Sequence, residues 1–364
     1  MVRRFLTILT FSLILAFGFA GAQAWAAKEP ASPEFTLQQA IEQAKAHSET
    51  LKSMKYDVDR GYEVRQYVGD KVEFTPLEAS NSAADTLFKN LMSADLTWRS
   101  AKRSYEAQED TIVMTTYKTY YGLLQAIENV KVAKIQADSA DWQHRVAAAT
   151  YRVGILNKMG MLQADATLAG SKATLEAANK ALEDSYQKFN QLVGLWPEDR
   201  PVLVDKPSYN EVKIDNLDYE VAKAMAASPS IWLARQKVDL AQINLNLYSF
   251  NNSSEPYIAK QIDLEKTEIA VQDTTEQLGK LVRTLYYTIK QTEEQYATAQ
   301  ETVKTAEEAL RVVKVKYDVG MATSAEVHAA EATLAQAEKS FFDLACQHEI
   351  YALAFQKPWA YAAS

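Results

Sequence analysis

Apolar residues recur three and four positions apart along nearly the whole chain after residue 35, which is the spacing of a helix face that packs on other helices. The first such run, residues 36–44, reads T-L-x-x-A-I-x-x-A and opens with Thr36, a favourable helix N-cap. The pattern predicts that this first helix continues to about Val68.

The same spacing predicts five further helices, near residues 83–152, 158–192, 217–249, 257–318 and 324–356. Gly154 is placed to end the longest of them, because glycine tolerates the left-handed conformation of a helix C-cap. That helix would extend for about 105 Å at 1.5 Å per residue. Each pair of shorter helices, stacked end to end, would match the length of one long helix. A linker with three prolines over residues 194–207 separates the two sets.

Internal similarity indicates that the chain is a duplication. Tyr120-Tyr121 and Tyr286-Tyr287 are 166 residues apart (286 minus 120), and the same offset superposes residues 151–154 on residues 317–320. Nearer the start of each copy the offset is 180, as for Ser48 and Ser228 (228 minus 48). The first copy therefore holds 14 more residues (180 minus 166). We predict a first repeat over residues 27–216, including the proline-rich crossover, and a second over residues 217–364.

The composition favours an all-α fold of duplicated long helical hairpins that form an elongated coiled-coil rod. The 364 residues include only 11 Gly and 9 Pro, too few for the many turns of a β-fold. Alanine stripes on two helices permit close helix contact; they are Ala169, Ala173, Ala177, Ala178 and Ala181, and Ala329, Ala330, Ala332, Ala335 and Ala337. The apolar stripe is too thin for a wide core, so we expect the rod to pack against copies of itself and line water with its polar face. A solitary coiled-coil stalk is the alternative.

Charge and chemistry exclude several classes of function. A formal net charge of −8 argues against a nucleic-acid partner. The single cysteine, Cys346, excludes an intrachain disulfide and a cysteine metal cage. The four histidines are scattered, and no nucleophile elbow, phosphate loop or dinucleotide fingerprint is present. We therefore predict no catalytic residue, no metal, no cofactor and no enzymatic activity.

Residues 1–26 have the layout of an export signal. Arg3 and Arg4 precede an apolar run over residues 5–20, and Ala24-Trp25-Ala26 offers a cleavage site with small residues. We expect the mature chain to work outside the cytoplasm. An uncleaved membrane anchor is the alternative.

Four features resemble the outer membrane efflux protein family, the TolC-like channel-tunnels. They are the repeat openings at residues 36–44 and 220–231, the mid-helix sequence Y-Y-G-L-L-Q-A at residues 120–126, the turns at residues 151–155 and 317–321, and the segment at residues 326–337. The resemblance covers roughly residues 35–356. It implies that three chains form an α-helical barrel that spans the periplasm, as an exit duct for an inner-membrane efflux pump or ABC exporter.

The resemblance also implies roles for the two ends where a long helix turns back. It implies contact with a periplasmic adaptor, or membrane fusion, protein at the tip residues Tyr151, Val153, Gly154, Ile155, Tyr317, Val319, Gly320 and Met321. For the two tyrosines, core packing is an equal alternative. It further implies a pore constriction near the tips, with Asp165, Asp318, Glu326 and Glu331 as candidate carboxylates, although a solvated outer face would suit each one. Gly160 stands where the family usually has Asp in its first copy.

The sequence departs from the family in its membrane end. Four membrane strands would need about 9–11 residues each. The connecting segments offer only residues 69–82 and 251–256. We therefore expect a rudimentary or absent β-barrel, and a chain in the periplasm or outer membrane whose insertion is in doubt.

The favoured function is thus a passive trimeric conduit for efflux or secretion. The alternative is a structural coiled-coil protein of the envelope that kept the fold and lost membrane insertion.

Overall fold

A computed structural model describes residues 31–73, 82–248 and 255–364. The helices are α1 (Leu37–His47), α2 (Glu49–Gly69), α3 (Ser82–Arg152), α4 (Lys158–Val193), α5 (Leu217–Ala227), α6 (Pro229–Asn246), α7 (Tyr257–Asp318), α8 (Ser324–Gln356) and α9 (Pro358–Ala363). Two short strands, β1 (Glu34–Phe35) and β2 (Val202–Leu203), complete the described elements. The predicted export signal, residues 1–26, lies outside the described residues.

Two long helices run the length of the molecule. The 71 residues of α3 and the 62 residues of α7 correspond to about 107 Å and about 93 Å of helix. At the end that holds their C-termini, the helices pack in the order α4, α3, α8, α7. At the other end the order is α2, α3, α6, α7. The predicted all-α class, with short helices stacked along long ones, is confirmed.

The first predicted helix of each half is in fact two helices. Ser48 ends α1 and begins α2 in an extended conformation (φ −63°, ψ 108°), and its side chain accepts a hydrogen bond from the Leu51 N–H. Ser228 divides α5 from α6 in the same way, with φ −64° and ψ 123°. The prediction of continuous helices over 36–68 and 217–249 was therefore wrong. A serine that caps the following turn competes with helical continuation, and Pro229 adds a steric bias against helical Ser228.

A two-stranded parallel sheet joins the start of the described chain to the linker between the halves. Glu34 pairs with Val202, and Phe35 pairs with Leu203. No strand was predicted here, because strands of two residues are too short to give a pattern in the sequence. The pairing is extended by the Ala31 N–H, which donates to Asp199 Oδ1 at 2.8 Å.

Tyr120, at the middle of α3, holds this sheet on the rod. Its hydroxyl donates to the Phe35 carbonyl at 3.2 Å and accepts from the Asp205 N–H at 3.0 Å. The ring is fully buried against Tyr121 and Phe189. Burial raises the pKa of Tyr120 to about 12, so the phenol remains a neutral donor.

A second apolar core lies around α7. Val282, Leu285 and Ile289 of α7 pack with Ile231 of α6 and with Phe355 at the end of α8.

Cys346 lies in the core around Tyr120, and burial raises the pKa of its thiol to about 12. The thin core predicted from the apolar stripe is thus concentrated near the middle of the rod.

The short helix α9 was not predicted. It packs on α3, where the Lys357 ammonium and the Trp359 indole N–H both bind the Asp110 carboxylate. This contact ties the end of the described chain to α3.

Within the described ranges, no helix combines the length and the apolar character that a bilayer span requires. The two connecting segments assessed from sequence for membrane strands fall largely outside those ranges, since residues 74–81 and 249–254 are not described.

Candidate functional site

Each long helix ends in a turn built around one left-handed glycine. Gly154 has φ 77° and Gly320 has φ 75°. No heavy atom lies within 4 Å of the position that a Cβ would occupy at either glycine. Backbone conformation, and not space, therefore requires glycine at these two positions.

The hydrogen bonds of the two turns match. The Gly154 N–H donates to the Tyr151 carbonyl at 3.0 Å, and the Ile155 N–H donates to the Thr150 carbonyl at 3.0 Å. These are the two bonds of a Schellman motif, which satisfies carbonyls at a helix end.

The second turn makes the corresponding bonds. The Gly320 N–H donates to the Tyr317 carbonyl at 3.0 Å, and the Met321 N–H donates to the Lys316 carbonyl at 2.7 Å. The two tips therefore present the same rigid backbone at the same end of the rod.

Large apolar side chains stand in solvent at both tips. Val153 and Ile155 are 69% and 79% exposed, and Val319 and Met321 are 65% and 77% exposed. The side chain of Tyr151 is also exposed, as is that of Tyr317, so neither is a core residue in this chain. A pair of rigid turns with exposed apolar side chains is suited to docking against another protein.

The first turn of α4 extends the apolar surface of the first tip. Met159 and Leu162 are both exposed there. Neither residue was predicted as part of the site, because apolar residues at helical spacing are usually assigned to a core. Their closeness in sequence to the Gly154 turn could have indicated that they belong to the tip.

Side-chain caps begin both returning helices. Asn157 accepts a hydrogen bond from the Gly160 N–H at 2.8 Å to begin α4. Thr323 begins α8 in a capping box with Glu326, whose carboxylate accepts from the Thr323 N–H at 2.6 Å. The Thr323 backbone and hydroxyl donors hold the pKa of Glu326 below its ordinary value.

Two of the candidate pore carboxylates bridge the helices of their own hairpins. Asp165 of α4 binds His144 Nε2 of α3 at 2.8 Å. Glu331 of α8 binds Lys314 Nζ of α7 at 3.1 Å and His328 Nδ1 at 3.2 Å. Asp165 and Glu331 are related by the 166-residue offset, so each hairpin has a cross-helix carboxylate at the same position. All these groups are partly exposed.

The other two carboxylates differ in their surroundings. Glu326 is engaged in the cap of α8, whereas Asp318 is exposed in the last turn of α7. The four carboxylates thus lie near the tips but do not form one cluster within the chain.

The structure adds partners that the sequence analysis missed. His144 lies 10 residues before Gly154, and Asp165 lies 11 residues after it, so counting outward from the turn would have paired them. The stacking of Trp142 on His328, with ring centroids 5.2 Å apart, joins α3 to α8 and gave no sequence signal.

In the part of the chain that the structure describes, no three His, Cys, Asp or Glu side chains come together as a metal site.

In a comparison with protein families, residues 233–354 match the family described as outer membrane efflux protein. No curated protein matches the sequence significantly.

Solved structures similar to this chain include outer-membrane channels. The outer-membrane channel OprN has a TM-score of 0.66 at 12% identity, covering 89% of this chain and 90% of its own. CmeC, the outer membrane channel of Campylobacter jejuni, has a TM-score of 0.65 at 14% identity, covering 93% and 90%. VceC, an outer membrane protein of Vibrio cholerae, has a TM-score of 0.60 at 16% identity, covering 89% and 95%. These TM-scores show a shared fold.

Proposed function

Because residues 233–354 match the outer membrane efflux protein family and the fold is shared with outer-membrane channels, we propose that the chain is a passive conduit for export. In this proposal three copies close a helical tube, an adaptor docks on the tips, and an inner-membrane pump or ABC exporter supplies the energy. The chain itself carries out no catalysis. Residues 1–26 direct it across the inner membrane to the periplasm and outer membrane.

The observation that carries the proposal is the matched pair of tips. Two identical backbone turns at one end of the rod expose Val153, Ile155, Val319 and Met321 to solvent. A structural stalk has no need for exposed apolar groups on rigid turns, since they favour unwanted association. An adaptor that docks on the tips would bury these apolar side chains and so remove them from water.

Self-assembly is supported by the uneven burial of the two alanine stripes. On α8, which lies between α3 and α7, Ala335 and Ala337 are buried. On α4, at the edge of the layer, Ala178 is buried, but the other four alanines of the stripe are exposed. Small exposed residues on an edge helix permit the close approach of a helix from another copy.

The duplication indicates which helix that is. Within the chain, α8 of the second half packs on α3 of the first half. If the same relation continues around a ring, α4 of one copy packs on α7 of its neighbour. Three such contacts close a tube of six hairpins with the tips at one end.

The four tip carboxylates, Asp165, Asp318, Glu326 and Glu331, supply a constriction of the bore in this proposal. Asp318 is the strongest candidate, because the other three are engaged within their own hairpins. A ring of three Asp318 carboxylates would favour cations over anions.

Photo-crosslinking in cells tests the docking role. A benzophenone amino acid at Ile155, and separately at Met321, should form covalent adducts with a periplasmic adaptor that mass spectrometry identifies. The matched control is the same probe at Ile262, which is exposed on α7 far from the tips.

Adducts with an adaptor from both tips and none from residue 262 would support the conduit. Absence of an adaptor adduct from both tips, in cells that express a functional efflux system, would leave the structural-stalk alternative as the better account.

A further inference from the structure

Two tryptophans line a groove far from the tips, between α3 and α6. The groove has a volume of about 310 Å³ and is lined by Trp98, Arg99, Lys102, Arg103, Glu106 and Trp232. Its two indoles come from the two halves of the chain. Neither the export proposal nor the family match gives these residues a role.

Trp98 forms the first wall and is fixed by close helix packing. The Cα of Trp98 lies 3.1 Å from the position that a Cβ would occupy at Gly61, which is tighter than ordinary van der Waals contact, so glycine favours this close approach of α2. Two cations lie by the indole, with Arg65 Cζ at 5.2 Å and Lys102 Nζ at 5.4 Å from the ring centroid. These are cation–π distances.

Trp232 forms the opposite wall and also holds two cations. Arg99 Cζ and Arg103 Cζ lie 5.2 Å and 5.6 Å from its ring centroid. The guanidinium groups are thereby held at the groove instead of extending freely into water.

The groove carries more positive than negative charge. Arg65 and Arg99 share the Asp95 carboxylate at 2.5 Å and 3.8 Å, and Arg103 pairs with Glu106 at 3.0 Å. Lys102 makes no ion pair within the described ranges. Among the residues that line the groove, three cations (Arg99, Lys102 and Arg103) face one carboxylate (Glu106), which leaves an excess of two positive charges in a chain whose formal charge is −8.

The groove lies on the side of α3 that bears the linker. Glu106 and Arg99 precede Tyr120 by 14 and 21 residues, which are whole heptads of a coiled coil, and Tyr120 binds the linker at Asp205. The groove and the exposed residues Ser93, Thr97 and Ser104 therefore lie on opposite faces of α3.

We propose that this groove binds small organic dianions that carry a flat apolar portion. Two excess cations match two negative charges, and the indole walls match a ring or similar flat group. The volume lies at the small end of the range for ligand pockets. Lys102 supplies donors that no carboxylate of the described chain engages.

Titration calorimetry with naphthalene-1,5-disulfonate, a flat dianion, tests this site on the full chain. We expect saturable binding to the wild type, and binding of inorganic sulfate at least tenfold weaker because it lacks the ring. The triple variant Arg99→Gln, Lys102→Gln, Arg103→Gln should lose at least tenfold in affinity for the disulfonate. Trp232→Leu should also weaken it.

A triple variant on α4 is the matched control for charge. Lys172→Gln, Lys180→Gln and Lys188→Gln make the same change in net charge at exposed positions elsewhere and should alter the affinity less than twofold. The single variant Lys102→Gln, which breaks no ion pair, should weaken binding and serves if the groove triple variant does not fold.

Three results would overturn the proposal: no saturable binding to the wild type, equal affinity for sulfate and the disulfonate, or equal losses in the two triple variants.

Discussion

At the scale of single residues, the tips depend on two glycines for conformation alone. Since the Cβ positions of Gly154 and Gly320 meet open space, substitution introduces no clash. Any cost arises from placing a side chain in the left-handed region, which is about 1–2 kcal/mol. The tips can therefore be perturbed without disturbing the rod.

We expect Gly154→Ala and Gly320→Ala each to lower the free energy of unfolding by about 1–2 kcal/mol. Gly122→Ala is the control, because Gly122 lies within α3 and a Cβ there also meets open space. That substitution should raise the free energy by about 0.5–1 kcal/mol. Urea denaturation followed by circular dichroism measures all three. Equal effects at residues 122 and 154 would contradict the left-handed requirement.

The capping box of α8 should make its first turn sensitive to acid. The pKa of Glu326 is lowered from its ordinary value of 4.5, so its contribution to stability is complete above that value and declines as the pH falls through the lowered pKa. Protection of the first-turn amides of α8 against hydrogen exchange should decrease below about pH 4.5.

Glu326→Gln is the control for this pH dependence. Gln39 occupies the same place in the capping box of α1, where it accepts from the Thr36 N–H at 2.9 Å. The variant should keep a weaker cap whose protection does not change between pH 6 and pH 3. The same loss in both proteins would show that Glu326 is not the titrating group.

At the scale of elements, serine caps divide the short helices into separate pieces. Ser48 and Ser228 occupy corresponding positions in the two halves, and each caps the helix that follows it. The linker begins near the first of these breaks, since the Cβ position at Gly194 lies 2.6 Å from His47 Nδ1.

We expect Ser48→Ala to lower the free energy of unfolding by about 1 kcal/mol, because it removes the acceptor for the Leu51 N–H. Ser53→Ala is the control, since Ser53 is exposed within α2 and caps nothing. Thermal unfolding compares the two variants. A cost at residue 53 as large as that at residue 48 would argue against capping.

The long helices were predicted well from the sequence because their apolar periodicity continues over many residues. Helices α3 and α7 have dozens of residues of continuous periodicity, and the glycine turns between hairpin arms are marked by one residue each. The breaks at Ser48 and Ser228, the two-residue strands and the Trp98–Trp232 groove depend on single side chains or on contacts between distant segments. Periodicity carries no information about such contacts.

At the scale of the whole molecule, the exposed edges of the layer define how copies would meet. Within the chain, Gln136 of α3 bonds to Gln336 of α8 at 3.1 Å. Adding 166 to the first and subtracting 166 from the second gives Thr302 and Gly170. In a ring that continues the internal relation, Thr302 of one copy faces Gly170 of the next.

We expect the double variant Thr302→Cys, Gly170→Cys to form covalent dimers and trimers with a short bismaleimide, as seen by denaturing electrophoresis. Background reaction should be low, because Cys346 is buried. Lys266→Cys with Gly170→Cys is the control, since residue 266 lies 36 residues, or about 54 Å, away along α7. Purely monomeric products from the first pair would refute this arrangement.

The pairing of β1 with β2 has a consequence for the order of folding. Ala31 and Leu37 bond to Asp199 and Asp205, each across 168 residues. Ala31 and Leu37 are synthesised 168 residues before these partners, so they cannot pair with them until the whole α3–α4 hairpin has been synthesised. Closing so long a loop is entropically slow. The contact between β1 and the linker is therefore expected to form after α3 and α4 have packed together.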